Sequence, residues 1–209
     1  GWLKELNIQT VFDIGANTGQ FASMIHNVLP EALIYSFEPL EDCYRQLCTN
    51  MRGASKFKAF NFALGDRDKE TEIYHDTYSP SSSLLQISKL HKKVFPFTGQ
   101  RTIENVKVKR LDQVIDDLNL ELKKNILLKI DVQGYEDKVI LGAQKSILEA
   151  KAVLAETSYH ALYEGQPLFD TIYDMLRQRG FEYMGNLEQI KNPLNGTVLQ
   201  SDSIFINSA

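Results

Sequence analysis

Apolar positions along the chain switch between two periods, and the order of the switches predicts the fold. "TVFDI" (10–14) is a short β run, and "TGQFASMIHNVL" (18–29) places apolar residues at 21, 24, 25, 28 and 29, one face of a helix. "ALIYSFE" (32–38) is again β and "LEDCYRQLCTNM" (40–51) helical. "FKAFNFAL" (57–64) and "ETEIYHD" (70–76) read as strands flanking the turn-rich "GDRDK", which suggests a hairpin-like element. "TIENVKVKRL" (102–111) is extended, "LDQVIDDLNLEL" (111–122) helical, and "YEDKVILGAQKSILEA" (135–150) puts 139, 140, 143, 147 and 148 on one helical face. "AVLAE" (152–156), "FEYMGN" and "SIFIN" (203–207) are β, with a helix at 168–180 that Gly180 ends. Repeated β-then-α units predict an α/β fold, a mostly parallel sheet with helices on both faces.

Two stretches break the pattern. "NILLKIDVQGYEDKVILGA" (125–143) opens as a doubly covered strand, yet carries Lys129 and Asp131, two residues apart and so on one face. Buried charges are costly unless paired, so these need a partner or a purpose. Residues 77–101, "TYSPSSSLLQISKLHKKVFPFTGQR", form a long Ser- and Pro-rich excursion that reads as a lid or substrate-binding loop.

Composition narrows the class. With 209 residues, 43% of them hydrophobic, residues 1–209 are expected to form one domain that buries a core without disulfides or metals. The net charge of -4 speaks against nucleic acid as a partner. No apolar run approaches a membrane span and "GWLKELNIQT" lacks a signal-peptide layout, so a cytoplasmic chain without a membrane partner is expected. The start at Gly1 rather than Met leaves open a processed chain or an excised domain that has lost a targeting segment. Cys43 and Cys48, five apart in a predicted helix, point about 140° from one another and cannot pair. Two free thiols suit a reducing cytosol, and the scattered His and Cys predict no metal site.

Ligands of open α/β sheets bind beyond the carboxyl ends of the strands. The first strand ends in "DIGANTGQF", where Gly15 and Gly19 allow a tight turn and the next helix aims its N–H groups at a ligand. The spacing is G-x-x-x-G; it is neither the G-x-G-x-x-G of dinucleotide binders nor a nucleoside-triphosphate loop. Glu38, at the end of the second strand and followed by Pro39, is placed to accept hydrogen bonds from ribose hydroxyls. Asp13 beside the turn would repel a pyrophosphate and suits a cofactor with an ammonium and a sulfonium, which favours S-adenosylmethionine over NAD.

The blocks "VFDIGANTGQF", "SFEPLEDCYRQL", "FNFALGDRDKETEIY", "SSSL", "VKRLDQVI" and "ILLKIDVQGYEDKVILGA" resemble, in order, the FkbM-type S-adenosylmethionine-dependent methyltransferases. The resemblance implies the class I (Rossmann-like) methyltransferase fold, seven strands with the last antiparallel, and O-methylation of a hydroxyl on a sugar, polyketide or related small molecule. It implies that Asp13, Gly15, Ala16, Asn17 and Gly19 line the methionine part of S-adenosylmethionine, Glu38 with Pro39 the ribose, and Ala63 with Leu64 the adenine edge, with Asp131 near the methyl group. Gln133 departs from the family, which often has Glu there; an amide cannot act as a carboxylate base, so it is assigned no catalytic role.

A hydroxyl acceptor needs a base, and the candidates are Asp131 and Glu156 at strand ends, with His160 just beyond. Lys129 lies deeper, where Asp131, Glu156 or Asp13 would neutralise it, and Asp131 itself has the plain reading of an ion pair. Ser81, Ser82, Ser83 and Leu84, with His160, are candidates to meet the acceptor, a small-molecule or glycan hydroxyl. Two other readings stay open: an NAD-dependent oxidoreductase on a similar sheet, which the glycine spacing disfavours, and a non-catalytic cofactor-binding or scaffold domain of a larger polypeptide.

Overall fold

A computed structural model describes residues 2–207. In chain order its elements begin with α1 (Trp2–Glu5), β1 (Thr10–Ile14), α2 (Gln20–Val28), β2 (Leu33–Phe37), α3 (Glu41–Asn50), β3 (Phe57–Phe60), β4 (Ala63–Leu64) and β5 (Lys69–Asp76). After a 3-10 turn at Ser79–Ser81 come α4 (Lys89–Val94), β6 (Arg101–Lys109), α5 (Leu111–Asp117), β7 (Ile126–Ile130), α6 (Glu136–Gly142), β8 (Ala150–Ser158), α7 (Phe169–Arg177), β9 (Phe181–Lys191) and β10 (Val198–Asn207).

The main sheet has seven strands in the order β3-β2-β1-β7-β8-β10-β9. All neighbours run parallel except β10, which is antiparallel to both β8 and β9. The period-two alternation of each strand divides two apolar layers. Phe12, Ile14, Tyr35, Phe37, Leu128, Ile130, Val153 and Ala155 face α5, α6 and α7. Val11, Ile34, Leu127, Ala152 and Leu154 face α2 and α3 through Ala22, Ile25 and Leu47. Both faces are therefore covered, as near-continuous apolar strands require.

Several boundaries differ from the sequence reading. The stretch 57–64 is two strands: β3 extends the main sheet, whereas β4 joins a second, three-stranded sheet of order β4-β6-β5. β5 pairs antiparallel with β6, Lys69 opposite Val108 through Asp76 opposite Arg101, so the hairpin expected between 57–64 and 70–76 does not form. The turn signal was real, but the long partner of β5 lies beyond the excursion, where sequence proximity gives no clue. The helix expected over 135–150 stops at Gly142 and continues as turns, because Asp112 captures the Lys145 and Ser146 N–H groups at 2.9 Å each.

Candidate active site

The carboxyl ends of the parallel strands open on a cavity of ≈ 730 Å³. Gly15 is left-handed, φ +79°, and a Cβ there would stand 1.8 Å from the Asp131 carbonyl oxygen, so β1 and β7 can converge only because the side chain is missing. The Gly15 and Ala16 N–H groups both donate to the Phe37 carbonyl at 3.0 Å, which ties the turn to the end of β2. There Glu38 takes one backbone N–H on each carboxyl oxygen, from Asn17 at 2.8 Å and from Leu40 at 2.9 Å. Burial pushes the Glu38 carboxyl up to about 7, against the pull of those two N–H groups. Glu38, Pro39, Asn17, Ala63 and Leu64 all line the cavity, as do Gly15 and Ala16; Gly19, φ +92°, lies behind them against Leu47.

Three charges share one face of the sheet because Asp13 is in register with Lys129, and Asp131 follows two positions on. Lys129 Nζ donates to the Gly15 carbonyl at 2.8 Å and stands 3.4 Å from both Asp13 Oδ1 and Asp131 Oδ2. Burial alone would lower its pKa, but the Asp131 and Asp13 carboxylates outweigh that and hold the ammonium well above the lysine range. Asp13 is fully buried, accepts from Ser36 Oγ at 3.0 Å, and has its pKa raised by burial against the opposing pull of Lys129. Lys129 is thus held by three oxygens, one through a hydrogen bond and two through ion pairs. Asp131, with its side chain 35% exposed, is the most open member of the triad; Lys129 lines the cavity beside it and Asp13 does not.

Glu156 is not a partner of Lys129, contrary to one of the options left open by the sequence. Its Oε2 accepts from Gln133 Nε2 at 2.8 Å and from Gln200 Nε2 at 2.9 Å. Burial first, and the Asp131 charge second, raise the Glu156 pKa well above the usual carboxylate range. Asp202, opposite Glu156 in the β8–β10 register, is pushed up to about 6 by burial and by Asp131. Glu136 caps the Val132 and Gly134 N–H groups and is pushed up to about 7, chiefly by burial. Raised carboxyl pKa values thus occur on both sides of the cavity, at Glu38 and Asp13 as well as here, but on this side no cation stands among the acids.

Residues 77–101 form the facing wall. The buried Asp76 accepts from Tyr78 N at 3.0 Å and Arg101 Nε at 3.1 Å, which closes both ends of the excursion on one carboxylate. Ser79 Oγ meets Asn17 Nδ2 at 3.2 Å, and Ser83 Oγ donates to the Gln133 carbonyl at 2.6 Å. Ser82 lines the cavity, its Oγ accepting the Asp76 N–H at 3.0 Å. His160 is a correction: it is exposed on the loop after β8 and is not among the cavity-lining residues. Sequence reasoning missed Tyr163, whose hydroxyl donates to Gln133 Oε1 at 2.8 Å, and Gln200 with Asp202, which reach the site only through antiparallel register. Among the described residues no group of three or more His, Cys, Asp or Glu is arranged to hold a metal ion, and no helix is long and apolar enough to cross a membrane.

This sheet order, with its single antiparallel strand and a cavity at the carboxyl ends, is the architecture of the class I methyltransferases. It is shared with a ribosomal RNA methylase from Streptococcus thermophilus, at TM-score 0.52 and 10% identity over 99% of this chain and 92% of that one. The methyltransferase domain of bacterial CtHen1-C matches at TM-score 0.52 and 12% identity, over 100% of this chain and 94% of its own. Such identities speak for the fold alone. Residues 13–183 match the model of the methyltransferase FkbM domain, and the chain belongs to that family. It is 31% identical over 202 residues to the AMB antimetabolite synthetase AmbE of Pseudomonas aeruginosa, covering 82% of this chain and 9% of AmbE. It is 27% identical over 173 residues to the 2-O-methyltransferase NoeI of Sinorhizobium fredii, covering 79% of this chain and 70% of NoeI.

Proposed function

We propose that the chain transfers a methyl group from S-adenosylmethionine to a hydroxyl of a small molecule or glycan. The observation that carries the reading is the convergence of Glu38, the Ile14–Asn17 turn and Asp131 on one cavity, with Asp13 fully buried behind the turn rather than in the lining. These residues suit the donor. Glu38 keeps lone pairs for two ribose hydroxyls after taking its two backbone N–H groups, and the acidic Asp131 side favours a ligand with ammonium and sulfonium charges. The lone cation of this wall, Lys129, is already bound to three oxygens, so a pyrophosphate would find acids and no free base.

In this reading Glu38 and Pro39 hold the ribose, Ala63 and Leu64 the adenine edge, and Gly15, Ala16 and Asn17 the amino-acid part. When bound, S-adenosylmethionine supplies a methyl carbon on a sulfonium whose sulfur keeps the bond's electron pair as the acceptor oxygen takes the carbon. Asp131 accepts the acceptor's proton, which contributes about 10²–10⁴ in rate. Ser82 and the 77–101 wall shield the acceptor from water, and Lys129 keeps Asp131 aimed. The relative NoeI is a 2-O-methyltransferase, which supports oxygen as the acceptor atom.

The test is incubation with methyl-tritiated donor and a panel of sugars, amino sugars, hydroxy acids and polyketide alcohols. Label in an alkali-stable ether is expected; label only on nitrogen, or none at all, would overturn O-methylation. A second reading is favoured by the match to only 9% of the length of AmbE: a cofactor-binding unit embedded in a longer synthetase. Donor binding without transfer to any member of the panel supports it.

A further inference from the structure

Gln133 follows β7 in a left-handed conformation, φ +54°, and its side chain turns back over the strand end. Its Nε2 lies 2.8 Å from Asp131 Oδ1 and 2.8 Å from Glu156 Oε2, while its Oε1 lies 2.8 Å from the Tyr163 hydroxyl. An ionised carboxylate only accepts, and Glu156 Oε2 already accepts from Gln200, so the pairing that suits every group sets the NH2 toward the two acids and the carbonyl toward the phenol. Turned over, the amide would set its oxygen against two carboxylate oxygens. The backbone is fastened too, by Ser83 on the Gln133 carbonyl.

An amide nitrogen carries two hydrogens and no charge. Here one goes to an acid of the β7 end and the other to an acid of β8, which brings the two carboxyl groups to one point of the cavity wall. A carboxyl group at position 133 has at most one hydrogen to give, and ionised it would add a further negative charge to a wall already rich in acids. Lys129 and Asp13 face this point from the sheet, Glu136 from α6, and Asp202 from β10. Tyr163 closes it from the loop after β8, with Arg101 of β6 and His91 of α4 behind its ring; Glu188 of β9 and Glu38 line the same cavity. Among these groups Gln133 is the one neutral bridge between Asp131 and Glu156.

We infer that Gln133 is a positioning residue: its amide fastens Asp131 and Glu156 into one two-acid clamp, and this clamp receives the proton that leaves the acceptor hydroxyl. The inference rests on the methyl-transfer reading for the proton's origin. The acceptor O–H bond breaks, its electron pair stays on the oxygen that takes the methyl carbon, and the proton moves to the Asp131 carboxylate. Gln133 itself gains and loses nothing.

The clamp is tested first without any acceptor, by ¹⁵N–¹H spectra of the Gln133 side-chain amide in the whole chain. Both hydrogens are expected to exchange slowly with water and to shift in two steps with pH, one step vanishing in Asp131→Asn and the other in Glu156→Gln. An amide that exchanges like that of a free glutamine, or follows one acid at most, overturns the clamp. Turnover then reads the role. Gln133→Asn keeps an amide and tolerates the left-handed backbone, but falls a methylene short of spanning both acids. Both Gln133→Asn and Gln133→Glu are expected to lower kcat by about 10–100-fold with the donor KM unchanged. The acidic limb of the rate profile should move to higher pH in Gln133→Glu alone, since an added acid raises its neighbour's pKa. Unchanged kcat and an unmoved limb in both variants would reduce Gln133 to packing. A wild-type chain that methylates nothing in the panel overturns methyl transfer and the proton's route with it, while the amide spectrum still decides whether the clamp exists.

Discussion

One wall of the cavity is made by residues 14–17, 37–40, 129 and 131 at the ends of adjacent parallel strands; the other draws on 79–84, 133, 156, 163, 200 and 202. On the first, one cation serves two acids: Lys129 sits between Asp13 and Asp131, and Glu38 is held by backbone N–H groups. On the second, acids outnumber cations, and Glu156 and Asp202 have their pKa values raised. The two walls meet at Asp131, paired with Lys129 on the first and with Gln133 on the second. The first wall, fixed by an ion-paired lysine and by backbone N–H groups, suits binding, whereas the acids of the second, with no cation among them, suit proton exchange through the Asp131 carboxyl that the two walls share.

Breaking the ion-paired wall should have the largest effect. Lys129→Met leaves Asp13 fully buried without its cation, and should cost about 3–5 kcal/mol in urea unfolding. A loss below about 1 kcal/mol would mean that Asp13 is carried neutral and the ion pair is not what supports the strand ends. Next, Glu38→Ala should weaken S-adenosylhomocysteine binding by about 1.5–3 kcal/mol, roughly 10–150-fold.

The raised pKa of Glu38 gives this wall a pH signature. From its ordinary value of 4.5 up to about 7, the folded chain keeps a proton that the unfolded chain has released. Stability from Glu38 is therefore full below the lower value and lost as pH rises through the upper one. Glu136, also held at about 7, acts in the same window. Unfolding free energy should fall between these values, and Glu38→Gln should flatten the slope. On the acid-rich wall, Tyr163→Phe removes one hydrogen bond to Gln133 and should cost about 0.5–1.5 kcal/mol without affecting S-adenosylhomocysteine binding. The smallest effect is expected of His160→Ala, within about 0.5 kcal/mol in stability and none in binding, because this exposed ring lies apart from the cavity.

The same contrast explains what was legible in the sequence. Asp13, Gly15, Asn17, Glu38 and Asp131 each stand where a strand stops, and strand ends are visible as changes of hydrophobic period. Lys129 was legible as a paired charge, with the choice among Asp13, Asp131 and Glu156 left to register; the structure takes the first two. Glu156 was visible as a strand end, but its partners Gln133 and Gln200 were not, since a β8–β10 pairing across more than forty residues leaves no local pattern. The hairpin expected around "GDRDK" failed for the same reason: β5 found its partner in β6, beyond the 77–101 excursion. Gln133 was read as the loss of an acid, and its two short hydrogen bonds give it a place that composition alone cannot show.

The most direct test of the account is calorimetric titration of wild type and Glu38→Ala with S-adenosylhomocysteine and, separately, with NADH, at pH 5.5 and pH 8. The account predicts micromolar binding of S-adenosylhomocysteine alone, tighter at the higher pH where Glu38 is ionised, and both the affinity and its pH dependence largely lost in the variant. Binding of NADH in preference, or S-adenosylhomocysteine affinity indifferent to Glu38 and to pH, would contradict it.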